Sequence, residues 1–488
     1  MMNTNPPLKL RNAWRGCVGL TVLYALTGCI TPTPPDQQTL TRQALAEVTL
    51  PATWTFARTA GEFDAAALGF SLPAELEALI REAQANNPDL RIAAQRVAQS
   101  RSAAKAAGAS LLPTVAIGGQ INESVVPSST LKLNGAGLIA NWEIDIWAKT
   151  RSAKAASLEM TQSAELDRLY ARQSIAAAVV KAWLTAAEAG RQTQLMKDMV
   201  ALAEKQLALI EFGQKVGRNT QQDVVINQIT LKSYQNQLMQ SEQALNSSRR
   251  ALEVLVGRYP AAEVAVASSL PDEPAPLPAG LPSELAERRP DLKAAESRFR
   301  AAFYNVAVAR KARLPSISLQ AGIGYVDESL LALKESLDNP VSGATGSLLL
   351  PLFTNGGITS QIEIRTSQQE EAAVAYARTM LNALNEIEGS LYADQVLAER
   401  YKLLNAQLAD QQKLVDLQQA QLKIGKGDRY QLQQQQLALT SSEVSLLRIR
   451  NERLIQRVNL HLALGGVYPG TAEPAPTNEA AAEAPPAG

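Results

Sequence analysis

Hydrophobic positions along most of the chain recur with a helical period, and two long stretches of this kind contain no proline. They run from Lys149 to Phe212 and from Gly357 to Ile424, and they consist largely of Ala, Leu, Gln, Glu and Lys. At 1.5 Å per residue, about 64 residues of helix would extend for roughly 95 Å. A short break follows each stretch, and then a further helical stretch of about 40 residues. The pattern predicts two helical hairpins, each turning at a glycine.

Elsewhere the hydrophobic period changes to two. In residues 315–325 (PSISLQAGIGY) the odd positions are mostly apolar and the even positions are small or polar. Residues 114–122 alternate in the same way, and a second strand ends at 138–147 (LIANWEIDIW), while its counterpart at 346–353 (GSLLLPLF) alternates less regularly. Such strands occur both in transmembrane barrels and in half-buried sheets of soluble proteins. The period alone does not choose between the two.

The chain repeats itself. Residues 86–98 (NNPDLRIAAQRVA) reappear as residues 288–300 (RRPDLKAAESRFR), at an offset of 202. Further on the offset becomes 208, and two glycine pairs then match: Gly217 with Gly425, and Gly257 with Gly465. Between these glycines lies a series of five heptad positions, and each copy has leucine at four of them. A shared heptad seam predicts helices packed side by side, so the chain is a tandem duplication of strand and helical-hairpin units.

The first 28 residues have the composition of a targeting signal. Three basic residues precede an apolar run over residues 16–26, which is too short to span a bilayer as a helix. The run ends in LTGC, which resembles the lipobox of bacterial lipoproteins and implies cleavage before Cys29 and a lipid on that residue. The alternative is an ordinary signal peptide with a chance cysteine. Removal of the signal leaves 44 basic against 47 acidic residues, so no basic surplus indicates nucleic acid.

Residues suited to catalysis or metal binding are sparse. The only histidine, His461, lies in an apolar helix end and is expected to be packed rather than to act as a base. The sequence shows no Cys/His cluster for a metal, no phosphate-binding loop with lysine and no Ser/His/Asp set. We therefore expect no enzyme, no metal site and no cofactor other than the covalent lipid on Cys29.

The segment 281–322 (LPSELAERRPDLKAAESRFRAAFYNVAVARKARLPSISLQAG) resembles the second-repeat signature of TolC-like outer-membrane efflux factors, in their lipoprotein (NodT-type) subgroup. The likeness covers about residues 70–466. It implies a mostly α fold with a β-barrel part, in which three duplicated strand–hairpin chains form a 12-stranded outer-membrane barrel continued by a long periplasmic α-helical tunnel. The strand count agrees with a barrel shared by several chains, because four strands from one chain cannot close a transmembrane barrel, which needs at least about eight.

This resemblance divides the chain into six parts, which are a lipoprotein signal peptide (1–28), a lipidated N-terminal segment (29–72), a first efflux repeat (73–270), a Pro-rich linker (271–282), a second efflux repeat (283–466) and a disordered Ala/Pro/Glu tail (467–488). It also implies a function as the passive exit duct of a tripartite system for small toxic compounds or drugs. The implied partners are a homotrimer of the chain itself, a periplasmic adaptor (membrane fusion) protein, an RND-type inner-membrane transporter and outer-membrane lipid. The implied location is the outer membrane of a Gram-negative bacterium, with a lipid anchor and a periplasmic extension.

Other functions stay open at this point. Within channels, the alternatives are metal-ion efflux and a type I protein-secretion duct. In a different class, the chain would be a lipid-anchored structural coiled-coil protein without a pore. The alternating strands and the closure of a shared barrel argue against this last alternative.

The resemblance also implies where functional residues lie. The adaptor-contact tip comprises Val216, Gly217, Arg218, Ile424, Gly425 and Lys426, with Arg218 and Lys426 at positions where family tips often carry an apolar residue. Asp223 matches the family position of an acid that helps to lock the periplasmic end, but Gly427 stands where the family has the basic partner, and Gln431 and Gln434 stand where TolC-type members have acids. The gate is therefore expected to be built differently here, with Asp223 paired with Arg429 and with Asp428, Gln431 and Gln434 as further candidates. The candidate membrane-interface aromatics are Trp142, Trp147, Tyr325 and Phe353. The corresponding structural alternatives are helix-terminating glycines, a solvated Asp223, and aromatic packing where the strands join the helices.

Overall fold

The computed structural model describes residues 31–45, 53–56, 68, 70–126, 129–267, 269–275, 288–327 and 341–468. The elements in chain order are α1 Gln37–Ala44, α2 Ala74–Asn86, α3 Pro88–Ala109, β1 Thr114–Val126, β2 Ser129–Ile144, α4 Lys149–Lys215, α5 Gln221–Val256, α6 Pro290–Lys311, β3 Ser316–Asp327, β4 Val341–Leu349, α7 Gly357–Lys423 and α8 Arg429–Ala463. The signal segment with Cys29, the C-terminal tail beyond Tyr468, residues 276–282 of the linker and residues 283–287 of the short helix expected at 283–289 lie outside the described residues.

The two predicted helical hairpins are confirmed. Helices α4 and α7 contain 67 residues each, and the return helices α5 and α8 contain 36 and 35. Helices α3 and α6 begin at Pro88 and Pro290, where a missing N–H costs nothing because the first amides of a helix have no partner within it. Among the described residues, no helix is both long and apolar enough to cross a membrane.

The chain divides into two compact units, which we describe separately. The first comprises residues 1–47, 96–165 and 294–378, and it contains the whole sheet. The second comprises residues 48–95, 166–293 and 379–488, and it contains both helical return turns. Helices α4 and α7 each contribute residues to both units, so each unit contains parts of both copies of the duplication.

The sheet of the first unit has the strand order β1-β2-β3-β4, and all three pairings are antiparallel. Strand β2 ends at Ile144, so the expected continuation of its alternation to Ile146 and Trp147 is wrong. The Ile146 N–H turns back to the Ile144 carbonyl at 3.0 Å, and the Asp145 carboxylate accepts the Thr150 N–H at 3.0 Å. Asp145 thus caps helix α4, and the cap ends the strand.

Opposed residues on neighbouring strands show that one face of the sheet is apolar. Ile323 on β3 lies opposite Leu138 on β2, and Leu138 lies opposite Ile117 on β1. All three side chains are exposed. The other face carries small and polar residues, among them the opposed pair Asn141 and Gln320. The predicted alternation is therefore confirmed in register, and no other described part of the chain covers its apolar face.

The core of the second unit lies where four helices meet. Trp183 and Leu184 of α4 are completely buried among side chains of α2, α5 and α8. Removal of a buried indole leaves a cavity and typically costs about 3–5 kcal/mol. The heptad positions that the sequence predicts as a seam are buried or half-buried along both return helices. This core holds the helices in place well away from their return turns.

The duplication is visible in matched backbone contacts of the second unit. Asn87 donates from Nδ2 to the Leu255 carbonyl at 2.8 Å, and its partner at offset 202, Arg289, donates to the Ala463 carbonyl at 3.1 Å. Arg289 is buried, and it forms ion pairs at 2.8 Å with Asp291 and with a second acid on α7. Burial works against the charge, but these carboxylates outweigh it and raise the pKa of Arg289.

Candidate functional site

The two return turns of the second unit are built alike. Helix α4 ends at a glycine turn with Gly217 at φ +77°, and helix α7 at one with Gly425 at φ +74°. In the first turn the Arg218 N–H donates to the Gly213 carbonyl at 2.7 Å, and in the second the Lys426 N–H makes the matching bond at 2.9 Å. This i+5 bond and the left-handed glycine form a Schellman motif, which satisfies carbonyls at the helix end. The structure thus assigns a helix-terminating role to both glycines.

Helix α5 begins with a capping box that uses Asp223. The Asp223 carboxylate accepts the backbone N–H of Thr220 at 2.8 Å and its hydroxyl at 2.9 Å, while the Thr220 hydroxyl accepts the Asp223 N–H at 3.2 Å. These donors hold the pKa of Asp223 below its ordinary value. The spacing of a Thr and an acid three residues later is a readable N-terminal signal, so this role was available from the sequence and was missed.

The acid of the second turn is also a helix cap. Asp428 accepts the Tyr430 N–H at 2.9 Å and so begins helix α8. Asp223 and Arg429 both line a cavity of about 670 Å³ between the two turns. Among the ion pairs of the described residues none joins these two side chains. The predicted Asp223–Arg429 gate therefore stays a prediction, as do the roles of its exposed neighbours Gln431 and Gln434.

We call residues 212–223 and 423–431 the tip surface. Its apolar side chains point outward, because Phe212 is 66%, Val216 53% and Ile424 68% exposed. Arg218 and Lys426 are exposed as well. All the predicted adaptor-contact residues thus lie on this surface. Phe212 was missed because a phenylalanine near a helix end looks like an ordinary packed residue.

The four predicted membrane-interface aromatics lie in the first unit, in different environments. Trp147 is half-buried, and its indole donates to the Pro315 carbonyl at 2.6 Å, which is the packing between strand and helix named as the alternative. The Trp142 indole donates to a backbone carbonyl at 3.0 Å. Tyr325 is partly exposed, and Phe353 is 84% exposed. Of the four, Phe353 is the most exposed.

His461 is fully buried, with its ring edge-on to Tyr468 at 5.1 Å, so the expectation of a packed histidine is confirmed. Among the described residues, no group of three or more His, Cys, Asp or Glu side chains could hold a metal ion. The tip surface presents exposed apolar side chains beside exposed cations.

Comparison with known proteins places these features in a family. The model of the outer membrane efflux protein family matches residues 79–258 and 281–466, once for each copy of the duplication. The pyoverdine export outer membrane protein OpmQ of Pseudomonas putida is 28% identical over 469 residues, which cover 92% of this chain and 96% of that protein. The toluene efflux pump outer membrane protein TtgC of Pseudomonas putida is 26% identical over 407 residues, or 80% and 83% of the two chains.

A solved structure shares the fold. The cation efflux system protein CusC of Escherichia coli is 25% identical over 410 residues, which cover 81% of this chain and 88% of that protein. A crystal structure of CusC superposes with a TM-score of 0.75 at 22% identity, covering 86% of this chain and 97% of the other. At this identity the likeness establishes the arrangement of strands and helical hairpins and nothing about cargo.

Proposed function

Because the chain belongs to the outer membrane efflux protein family, we propose that it forms the passive exit duct of a tripartite efflux system. Membership makes it an outer-membrane efflux channel protein rather than an enzyme. The observation that carries the finer proposal is the uncovered apolar face of the four-stranded sheet. A sheet face of this kind is stable in lipid, where an exposed isoleucine costs nothing, and it is a liability in water.

The same sheet supports a homotrimer. Among the described residues no strand pairs with the outer edge of β1 or of β4, and unpaired backbone groups are not tolerated in hydrocarbon. One chain has too few strands to close a barrel of at least about eight. Three chains would contribute twelve strands and pair every edge. A trimer would also bring the six return turns of three chains together as one ring.

The anchor and the partners follow from the same assignment. Cys29 carries the lipid that tethers each chain to the outer membrane, and no cofactor takes part. A periplasmic adaptor docks on the tip surface and connects the duct to an RND-type inner-membrane transporter, which supplies the energy. The cargo is small toxic compounds or drugs. The names of OpmQ and TtgC support small-molecule cargo, whereas the name of CusC favours metal ions as the second candidate.

Two measurements test this function together. Purified full-length protein is added to planar bilayers, where stepwise conductance is expected. In parallel, a deletion strain is exposed to lipophilic drugs, dyes, detergents and metal salts, with the gene returned on a plasmid. Hypersensitivity to lipophilic compounds that the gene restores supports small-molecule efflux, and sensitivity confined to metal salts moves the cargo to metal ions. Absence of conductance would refute the duct and leave a coiled-coil structural protein. Conductance without any sensitivity would redirect the search for cargo to the secreted proteome.

A further inference from the structure

The four junctions between strands and helices lie along one edge of the sheet in the first unit. Strands β1 and β3 begin at this edge, and strands β2 and β4 end there. The register agrees, because Ser316 at the start of β3 lies opposite Leu349, the last residue of β4. In the proposed duct the barrel leaves the bilayer at this edge and continues as helices. The edge therefore lies at the height of lipid headgroups.

Basic side chains without an ionic partner gather at this edge. We call four of them the junction collar, namely Lys105, Lys154, Arg310 and Arg313. All four are exposed, and no ion pair found among the described residues includes any of them. The first three lie within about one and a half turns of a helix end that adjoins a strand, and the last lies between α6 and β3. Segments 96–115 and 297–326 contain no acidic residue that could neutralise them.

The other charged side chains at this edge already have partners within the chain. Glu143 pairs with Lys149 at 2.9 Å, and Asp145 pairs with Arg151 at 3.2 Å. Lys311 donates to a backbone carbonyl next to the start of α4 at 3.1 Å. Asp145 also caps α4, so moving its carboxylate toward a collar residue would uncap that helix. The local acids are therefore used, and the charge of the junction collar is left unbalanced.

Helix geometry shows which way the collar faces at α3. A cavity of about 460 Å³ lies among α3, α4 and α6, with Arg96 and Ala156 in its lining. Lys149, whose ionic partner lies on the polar face of β2, is about two turns before Ala156 and so shares the cavity's side of α4. The cavity therefore continues the polar face of the sheet. Lys105 lies about two and a half turns beyond Arg96, so it projects from the opposite side of α3, which continues the apolar face.

Exposed apolar side chains stand beside the collar at the same edge. Leu112, Leu352 and Phe353 are mostly exposed, and all three lie in turns between a helix and a strand. Trp142, on the apolar face of β2, donates its indole N–H to the Leu111 carbonyl at 3.0 Å. Apolar and aromatic side chains next to cations suit the boundary of a bilayer, because acyl chains can cover the first group and phosphate groups can neutralise the second.

We propose that the junction collar binds the phosphate groups of anionic phospholipids, which gives the protein a preference for lipids of net negative charge and holds its barrel at one depth in the bilayer. The inference rests on the proposed function, because it requires the sheet to lie in a bilayer. A phospholipid matches the whole surface, since one molecule offers acyl chains to the apolar side chains and a phosphate to the cations. Each basic side chain near an anionic lipid surface contributes roughly fivefold in affinity.

The test measures which lipid collects around the full-length protein. The protein is reconstituted in phosphatidylcholine vesicles that contain a trace of spin-labelled phosphatidylglycerol or of spin-labelled phosphatidylcholine, and electron paramagnetic resonance gives the fraction of each label held at the protein surface. We expect phosphatidylglycerol to associate about fivefold more strongly, and this preference to fall as NaCl is raised.

Two double variants locate the preference. Lys105→Gln, Arg310→Gln removes two collar charges and should abolish most of the preference for phosphatidylglycerol. Lys149→Gln, Lys205→Gln removes the same charge from outside the collar, because the first lysine is paired with Glu143 and the second lies far along α4 from the strand junction. This control should keep the preference of the wild type.

Three outcomes would overturn the inference. Equal association of both labelled lipids, or a preference that the collar variant keeps, would show that the collar does not bind lipid phosphate. Loss of the preference when inorganic phosphate replaces chloride at equal ionic strength would assign the collar to free phosphate. Weaker crosslinking between chains in the collar variant, with its lipid preference unchanged, would assign these cations to a contact between chains. Wild-type protein from the same preparation is also added to planar bilayers. Absence of conductance refutes the duct, whereas conductance without a lipid preference refutes only the role of the collar.

Discussion

A single charge placed on the apolar face of the sheet distinguishes a membrane barrel from a soluble sheet. Ile323 lies near the middle of β3, is 49% exposed, and faces away from the polar side. In water, arginine at such an exposed position would change stability by only about 0.5 kcal/mol. Facing lipid near the midplane, it would cost about 2–4 kcal/mol per chain. A barrel shared by three chains would lose about 6–12 kcal/mol, which is comparable to the whole stability of a typical domain.

The matched control is Gln320→Arg, which puts the same side chain on the opposite, polar face of the same strand. The assay is refolding of purified protein into lipid vesicles, scored by protease protection and by conductance. Ile323→Arg should fail to insert, while Gln320→Arg should insert and alter conductance through added charge in the lumen. Equal insertion of both variants would refute the assignment of this face to lipid.

Three further predictions concern the helix ends. Glu253 is buried and burial opposes its charge, but hydrogen bonds from three backbone N–H groups outweigh burial and lower its pKa. Glu253→Ala should therefore destabilise the second unit by about 2–5 kcal/mol in thermal unfolding. In the wild type the same assay should show this stabilisation being lost as the pH falls below about 4.5. Gly257→Ala should destabilise the protein more than Gly356→Ala in the same assay. Both glycines have positive φ, but of the two only the Cβ added at Gly257 would meet backbone, at 2.9 Å. Equal losses of stability in the two variants would contradict this. Asp223→Ala should raise pore conductance if Asp223 locks the closed tip, and an equal rise in Thr220→Ala would assign the effect to the lost cap instead.

Much of this fold follows from periodicity, because the two hydrophobic periods are local properties of the sequence. The boundary of β2 did not follow, because Asp145 reads as one more polar strand position until its carboxylate is seen to cap α4. The orientation of the apolar face toward lipid or core could not follow either, since both environments produce the same alternation. The predicted gate around Asp223 would depend on contacts between chains, which a single chain's pattern does not contain.

One exception in the heptad seam shows a second limit of prediction from the sequence. Arg453 occupies a position that is leucine in the first copy, and from sequence it is simply a mismatch. In the structure it pairs with Glu273 of the Pro-rich linker at 3.0 Å and lies over the Tyr401 ring at 4.9 Å. The linker therefore carries the charge that makes an arginine tolerable at the seam. Because the linker has no hydrophobic periodicity, the sequence did not indicate that it contacts the helices.

The two copies share backbone geometry more closely than side-chain chemistry. Glu253 and His461 match at an offset of 208, and each ties the segment after a C-terminal glycine back to its helix. Glu253 does so by accepting backbone N–H groups, whereas His461 Nε2 lies 3.3 Å from the Val467 carbonyl, which can only accept, so this nitrogen must carry the proton. Glu253 accepts and His461 donates, yet the backbone follows the same path after the helix in both copies. Since the path depends on the glycine turns and backbone contacts, side chains elsewhere in each copy are free to diverge.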